Sequence, residues 1–132
     1  MRTSLAYLLL ALSTLHAAIS PDHVRRLQDE AAEALVIKAD QVDVKITEVK
    51  DGRRLDIQVT ASIQSVIRSQ AGHKPGDVVK VAYKVMELKN PPPGPDEAKV
   101  LAKGETVRAF LDHSSDKQSL RLAVYGHSFQ KP

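Results

Sequence analysis

The chain of 132 residues contains no cysteine and no tryptophan, and its only aromatic residues are three tyrosines and two phenylalanines. Without cysteine there is no disulfide, no thiol nucleophile, no cysteine-held zinc and no lipid-anchored N-terminal cysteine. With 4% aromatic residues, the core has to be built from aliphatic side chains. Charge of one sign is also missing. Without residues 1–20 the balance is 18 basic against 16 acidic residues, and the two signs alternate along the chain. Nucleic-acid binders cluster Lys and Arg, so no nucleic-acid partner is expected. No cofactor is expected either, because the chain carries no phosphate-binding loop, dinucleotide fingerprint or GxSxG elbow.

A long hydrophobic run is absent too. The most apolar stretch, Leu5 to Leu15, has 11 residues, follows Arg2 and precedes the small residues Ala17, Ala18 and Ser20. As a helix it would rise about 16 Å, short of a bilayer core of roughly 30 Å. A basic start, a short apolar centre and a small-residue end are the layout of a secretory signal peptide. We therefore expect residues 1–20 to be a signal peptide and 21–132 to be one exported domain, periplasmic or secreted. Its mature start would fall between Ala18 and Asp22, with no membrane anchor after cleavage.

What is present is period. Ser20-Pro21-Asp22 reads as a helix start, and Val24, Leu27, Ala31 and Leu35 recur at helical spacing, which predicts an amphipathic helix over 21–34. From Leu35 the period becomes two. Leu35, Ile37 and Ala39 share one parity, and Val42, Val44 and Ile46 share the other. An extra strand residue at Asp40-Gln41 reconciles them. So would a helix extended through Ala39, which the β-branched neighbours Val36 and Ile37 disfavour.

Lys50-Asp51-Gly52-Arg53 predicts a tight hairpin with Asp51 and Gly52 at positive φ. The next strand then places Leu55, Ile57, Val59, Ala61, Ile63 and Ile67 inward, with only Ser65 interrupting the apolar series, and Arg54, Asp56, Gln58, Thr60, Ser62, Gln64 and Arg68 outward. Such a strand spans roughly 40 Å and must coil, which is how a small sheet closes into a barrel. A turn at Gly72–Asp77 leads to a third strand with Val79, Val81, Tyr83 and Val85 inward. The proline stretch Asn90–Pro95 reads as an extended surface loop, and Lys103-Gly104-Glu105 as a turn before a fourth strand. That strand alternates Val107, Ala109 and Leu111 with Arg108 and Phe110, and a polar turn separates it from Leu120, Leu122 and Val124. Phe129 is expected to plug a barrel end. The expected fold is mainly β, a five-stranded OB-like barrel with one N-terminal amphipathic helix.

The hairpin, Val66-Ile67-Arg68-Ser69, Gly76-Asp77-Val78-Val79-Lys80-Val81-Ala82-Tyr83 and Lys103-Gly104-Glu105, in that order, resemble the netrin-like, or tissue-inhibitor-of-metalloproteinases-like, branch of OB folds. They also resemble small exported bacterial proteins of that shape. The resemblance covers about residues 34–129. Inhibitors of that branch bind zinc through an N-terminal cysteine, which this chain lacks, so that activity is not carried over.

The histidines His16, His23, His73, His113 and His127 stand at no metal-ligand spacing, so no metal is expected and each reads as a solvated single residue. The residues thus read as a non-enzymatic binding module for a protein or cell-envelope component. The rival is a small hydrolase using Asp112, His113 or His127 with a serine, which needs a histidine within hydrogen-bond reach of a serine hydroxyl and a buried carboxylate. A cystatin-type protease inhibitor also pairs a helix with a long hairpin, but it needs Gln-x-Val-x-Gly where this chain has Lys50-Asp51-Gly52-Arg53.

Overall fold

The computed structural model describes residues 20–91, 97–116 and 118–132. The expected signal segment, Ser20 apart, and most of the proline stretch lie outside these residues. The described chain runs α1 (Pro21–Glu30), β1 (Glu33–Val49), β2 (Gly52–Ser69), β3 (Val78–Leu88), β4 (Thr106–His113), β5 (Leu120–Leu122), a 3-10 turn (Tyr125–His127) and β6 (Phe129–Gln130). The strands hydrogen-bond in the order β1-β2-β3-β5-β4, and β4 returns to β1, which closes a five-stranded barrel. All pairings are antiparallel except β3 with β5, joined in parallel through Val81 and Leu120. β6 pairs with β4 at Arg108 and Ala109, filling the wall where β5 has ended. This is the expected OB-like barrel.

Its interior is aliphatic, as the composition requires: Leu35, Ile37, Ala39, Leu55, Ile57, Val59, Ala61, Ile63, Val81 and Leu111 are all buried. Two aromatic rings join them, Tyr83 and Phe129, packed edge to face with centroids 5.5 Å apart. Phe129 is therefore a buried part of the barrel filling.

The helix is shorter than its apolar spacing predicts. Ser20 caps it by accepting from the backbone N–H of His23 at 3.2 Å, but it ends at Glu30, and Ala31 is already extended at ψ 138°. The reason lies on the neighbouring strand β2, where Arg68 stands opposite Ala34. The Arg68 guanidinium donates to the carbonyls of Gln28 and Ala31 at 2.8 and 2.7 Å, which satisfies the helix end. Leu35 therefore enters the barrel core, while Val24 and Leu27 lie against Ala31, Ala34, Phe110 and Val124 on the outside of the wall. The alternation of Leu120, Leu122 and Val124 predicts a fifth strand that runs on to Val124. The strand stops at Leu122, and Val124 turns under the helix instead.

The parity flip in β1 is a bulge. Ala39 pairs with Ala61 and Gln41 with Thr60, which leaves Asp40 as the extra residue. β2 has two irregularities of its own. Leu35 pairs with Val66 and Ile37 with Ile63, while Ala34 pairs with Arg68, so Gln64 and Ile67 are the residues without opposite numbers. These shifts correct one expectation: Val66 packs on the core, and Ile67 is half exposed. The hairpin turn also sits one residue earlier than expected. Val49 pairs with Gly52 across Lys50-Asp51, and positive φ falls on Asp51 and not on Gly52.

Candidate functional site

Beyond Ala39, β1 leaves β4 and continues only with β2, so β1, β2 and β3 extend from the barrel as a three-stranded sheet. Its outer face carries two cross-strand rows, Asp43–Gln58–Ala82 and Lys45–Asp56–Lys84. Asp116 and Ser119 of the β4–β5 loop border the same face, and together they enclose a groove of about 760 Å³. In OB barrels the face of strands 2 and 3, flanked by the loop between strands 4 and 5, is where extended ligands lie.

The groove is charged in both signs and pre-ordered. Asp43 accepts from the Gln41 amide at 3.1 and 3.2 Å, and Arg54 Nε stands 3.3 Å from Asp56. Asp116 Oδ1 accepts from the Ser114 hydroxyl and from the backbone N–H groups of Gln118 and Ser119. The Ser114 hydrogen bond, first, and these N–H groups hold the Asp116 carboxyl below its ordinary range. Tyr83 gives the groove no stacking platform, because its ring is buried and its hydroxyl donates to the carbonyl of Lys99 at 2.8 Å. Burial raises the Tyr83 phenol above its ordinary value, ahead of an opposing backbone hydrogen bond at Leu101.

Of the outward residues read from the sequence, Asp56 and Gln58 line this groove. Ser62 lies further along β2 and donates to Asp40 beside the bulge. Arg68 is committed to the helix end. Asp43, Lys45, Lys84 and Asp116 were not singled out, although the alternation of the first and third strands already placed the first three on that face.

The histidines are not all solitary. Glu33 is fully buried, its Oε1 standing 3.3 Å from Nε2 of His73 and 3.5 Å from Nε2 of His113. Oε1 also accepts from the Ser69 hydroxyl at 2.9 Å, and Oε2 from the backbone N–H of Gln70 at 2.7 Å. His113 Nε2 makes no hydrogen bond. Glu33 escaped the sequence reading because it sits in the part of the pattern assigned to the helix. Among the described residues, no three ligating side chains are grouped so as to hold a metal ion.

The hydrolase trio does not assemble. Asp112 Oδ1 accepts from the backbone N–H of Ala32 at 3.0 Å and so shapes the turn after α1. His127 lies in the 3-10 turn, where its carbonyl accepts from Gln28. Ser114, next to His113, bonds to Asp116 and Ser119. His113 meets a buried carboxylate, but among the described residues no serine hydroxyl hydrogen-bonds to a histidine ring. His23 is exposed at the start of α1 with Nδ1 3.0 Å from Arg26.

No protein-family model, no curated protein and no solved structure matches this chain.

Proposed function

We propose that the chain is an exported, non-catalytic binding module whose outer β1–β3 face takes a polar partner, a protein segment or a cell-envelope component. One observation carries this reading: the groove formed by Lys45, Asp56, Gln58 and Lys84 with Asp116 and Ser119 lies where OB barrels hold extended ligands. Its chemistry fits the partner class. It offers hydrogen bonds and charges of both signs, whereas base stacking, worth roughly 1–3 kcal/mol per base, has no ring to use there. Export rests on the segment before Ser20, and Ser20 itself caps α1, so cleavage ahead of it leaves the cap on the mature chain.

The test is capture from the envelope fraction with immobilised protein, read by quantitative mass spectrometry against a Gln58→Arg/Lys84→Glu variant. Both positions are exposed, so the variant should keep its fold. The expected result is a partner held by the parent chain and lost from the variant. Equal capture by both would remove this face as the site.

A further inference from the structure

We propose that the β1 edge between Gln41 and Thr47 is a self-pairing surface, and that its partner is a second copy of this chain added as an antiparallel strand. β4 follows β1 only to Lys38, and the Lys103–Glu105 turn takes over the backbone of Ala39. Past the Asp40 bulge no described residue pairs with β1 on the side away from β2. An edge like this is a ready template for another strand. Its inner face is apolar and partly uncovered, with Val44 42% and Ile46 53% exposed.

The side-chain order along the edge selects the partner. In a two-fold antiparallel pairing, residues equally distant from the axis stand opposite each other. An axis at Val44 sets Val44 against itself and Val42 against Ile46 on the inner face. On the outer face it sets Asp43 against Lys45 of the other copy, twice. Gln41 meets Thr47 at each end, and the Asp40 bulge terminates the ladder. Moving the axis to Asp43 or Lys45 would set a like charge against itself. The sequence Gln41-Val42-Asp43-Val44-Lys45-Ile46-Thr47 is thus complementary to its own reverse in charge and in hydropathy. Lysine on an edge strand ordinarily repels a newcomer, and in this register it is neutralised by Asp43. The product is a continuous sheet through β3-β2-β1 of both copies, with the two outer faces side by side. The seam shares Asp43 and Lys45 with the groove, but the inference rests on the unpaired β1 edge and not on the ligand reading, and Gln58 and Lys84, which test that reading, belong to β2 and β3.

Sedimentation equilibrium of the mature chain over micromolar to hundreds of micromolar concentrations should show a monomer–dimer equilibrium. Asp43→Lys and Lys45→Asp should each weaken the dimer at least tenfold, and the double exchange Asp43→Lys/Lys45→Asp should restore it. Register is tested independently, because the chain has no other thiol. Val44→Cys should cross-link to itself on oxidation, and Val42→Cys should cross-link to Ile46→Cys when the two are mixed, while Val78→Cys stays monomeric. Circular dichroism confirms the fold of each variant. A monomer at every concentration, a dimer indifferent to both charge variants, or cross-linking no better at Val44 than at Val78 would each overturn the proposal. So would a strand captured from a different protein on a chain that does not self-associate.

Discussion

Oε1 of Glu33 stands 3.3 Å from Nε2 of His73, and the two are tied a second time through Ser69, whose hydroxyl donates to that carboxylate oxygen and accepts the backbone N–H of His73. The carboxylate thus anchors the turn that follows β2, with Gln70 N–H bound to its other oxygen. Glu33→Ala leaves the Ser69 hydroxyl without its acceptor and the Gln70 N–H with only the Ala32 carbonyl, and it opens a hole in a fully buried position. We expect it to cost about 2–4 kcal/mol. Ser69→Ala should cost about 1 kcal/mol. Urea unfolding followed by far-ultraviolet circular dichroism measures both, and a Glu33→Ala loss as small as that of a surface substitution would contradict the anchoring role.

Gly52 is a glycine because of what faces it. A Cβ there would stand 2.1 Å from the carbonyl oxygen of Glu87, on the paired end of β3. Gly72, at φ 78°, has open space around it. Gly52→Ala must push β3 away from the hairpin, so we expect a loss of about 2–3 kcal/mol. Gly72→Ala meets only left-handed backbone strain, about 1 kcal/mol. Urea midpoints of the two variants should rank in that order, and the reverse ranking would mean the hairpin end is looser than its packing implies.

The bulge at Asp40 invites a deletion test. Removing Asp40 leaves Ala39 opposite Ala61 and Gln41 opposite Thr60 in an unbroken ladder, with both apolar sets still on the inner face. Removing Lys38 instead lets the ladder close only by sliding Ala39 outward and Asp40 into the fully buried place of Ala39. A carboxylate in that aliphatic site costs several kcal/mol. Deletion of Asp40 should therefore leave a cooperatively folded protein, and deletion of Lys38 should not, as thermal unfolding will report.

The barrel was legible in the sequence wherever one face of a strand is buried. Alternation located Leu55 to Ile63, Val79 to Val85 and Val107 to Leu111, and the opposed parities of Leu35 and Val42 located the bulge. Legibility failed where distant residues decide. Ile67 has the right parity for the interior and is turned out by irregularities at Gln64 and Ile67, whose one local mark is the polar Ser65 between them. The helix pattern runs on past Glu30, and what stops it is Arg68 arriving from β2. The outer face of the groove followed from alternation, but its wall, Asp116, is brought there by the β3–β5 pairing, which no periodicity reveals. Glu33 with His73 and His113 is likewise a product of closure.

Alternation on β2 also separates stability from binding. Ile57 and Val59 are buried and Gln58 is exposed between them. Ile57→Ala or Val59→Ala should cost about 2–4 kcal/mol through lost burial and the cavity left behind. Gln58→Ala should stay within about 0.5 kcal/mol. Equal costs along the strand would mean that it is buried on both faces and that the groove is closed.

Glu105 links the fold to pH at the point where β1 leaves the barrel. Its backbone carbonyl accepts the N–H of Ala39 at 2.8 Å, and its Oε1 accepts the N–H of Ala102 at 3.0 Å. Oε2 pairs with the Lys99 ammonium. The Lys99 hydrogen bond, first, and the Ala102 N–H hold the carboxyl below its ordinary value of 4.5. A carboxyl whose folded value is depressed stabilises the fold above its unfolded value, and that contribution fades as the pH falls through the folded one. The group is partly exposed, so solvent screens the pair and we expect no more than about 1 kcal/mol near neutrality. Glu105→Gln keeps the side chain's shape and removes the charge. The gap in urea midpoint between the parent chain and Glu105→Gln should therefore be largest near neutral pH, hold down to 4.5, and shrink as the solution is acidified below it. High salt should narrow the gap at neutral pH. A gap that stays constant through the acid range would mean that the carboxylate contributes by hydrogen-bond geometry alone and that its charge is not coupled to folding.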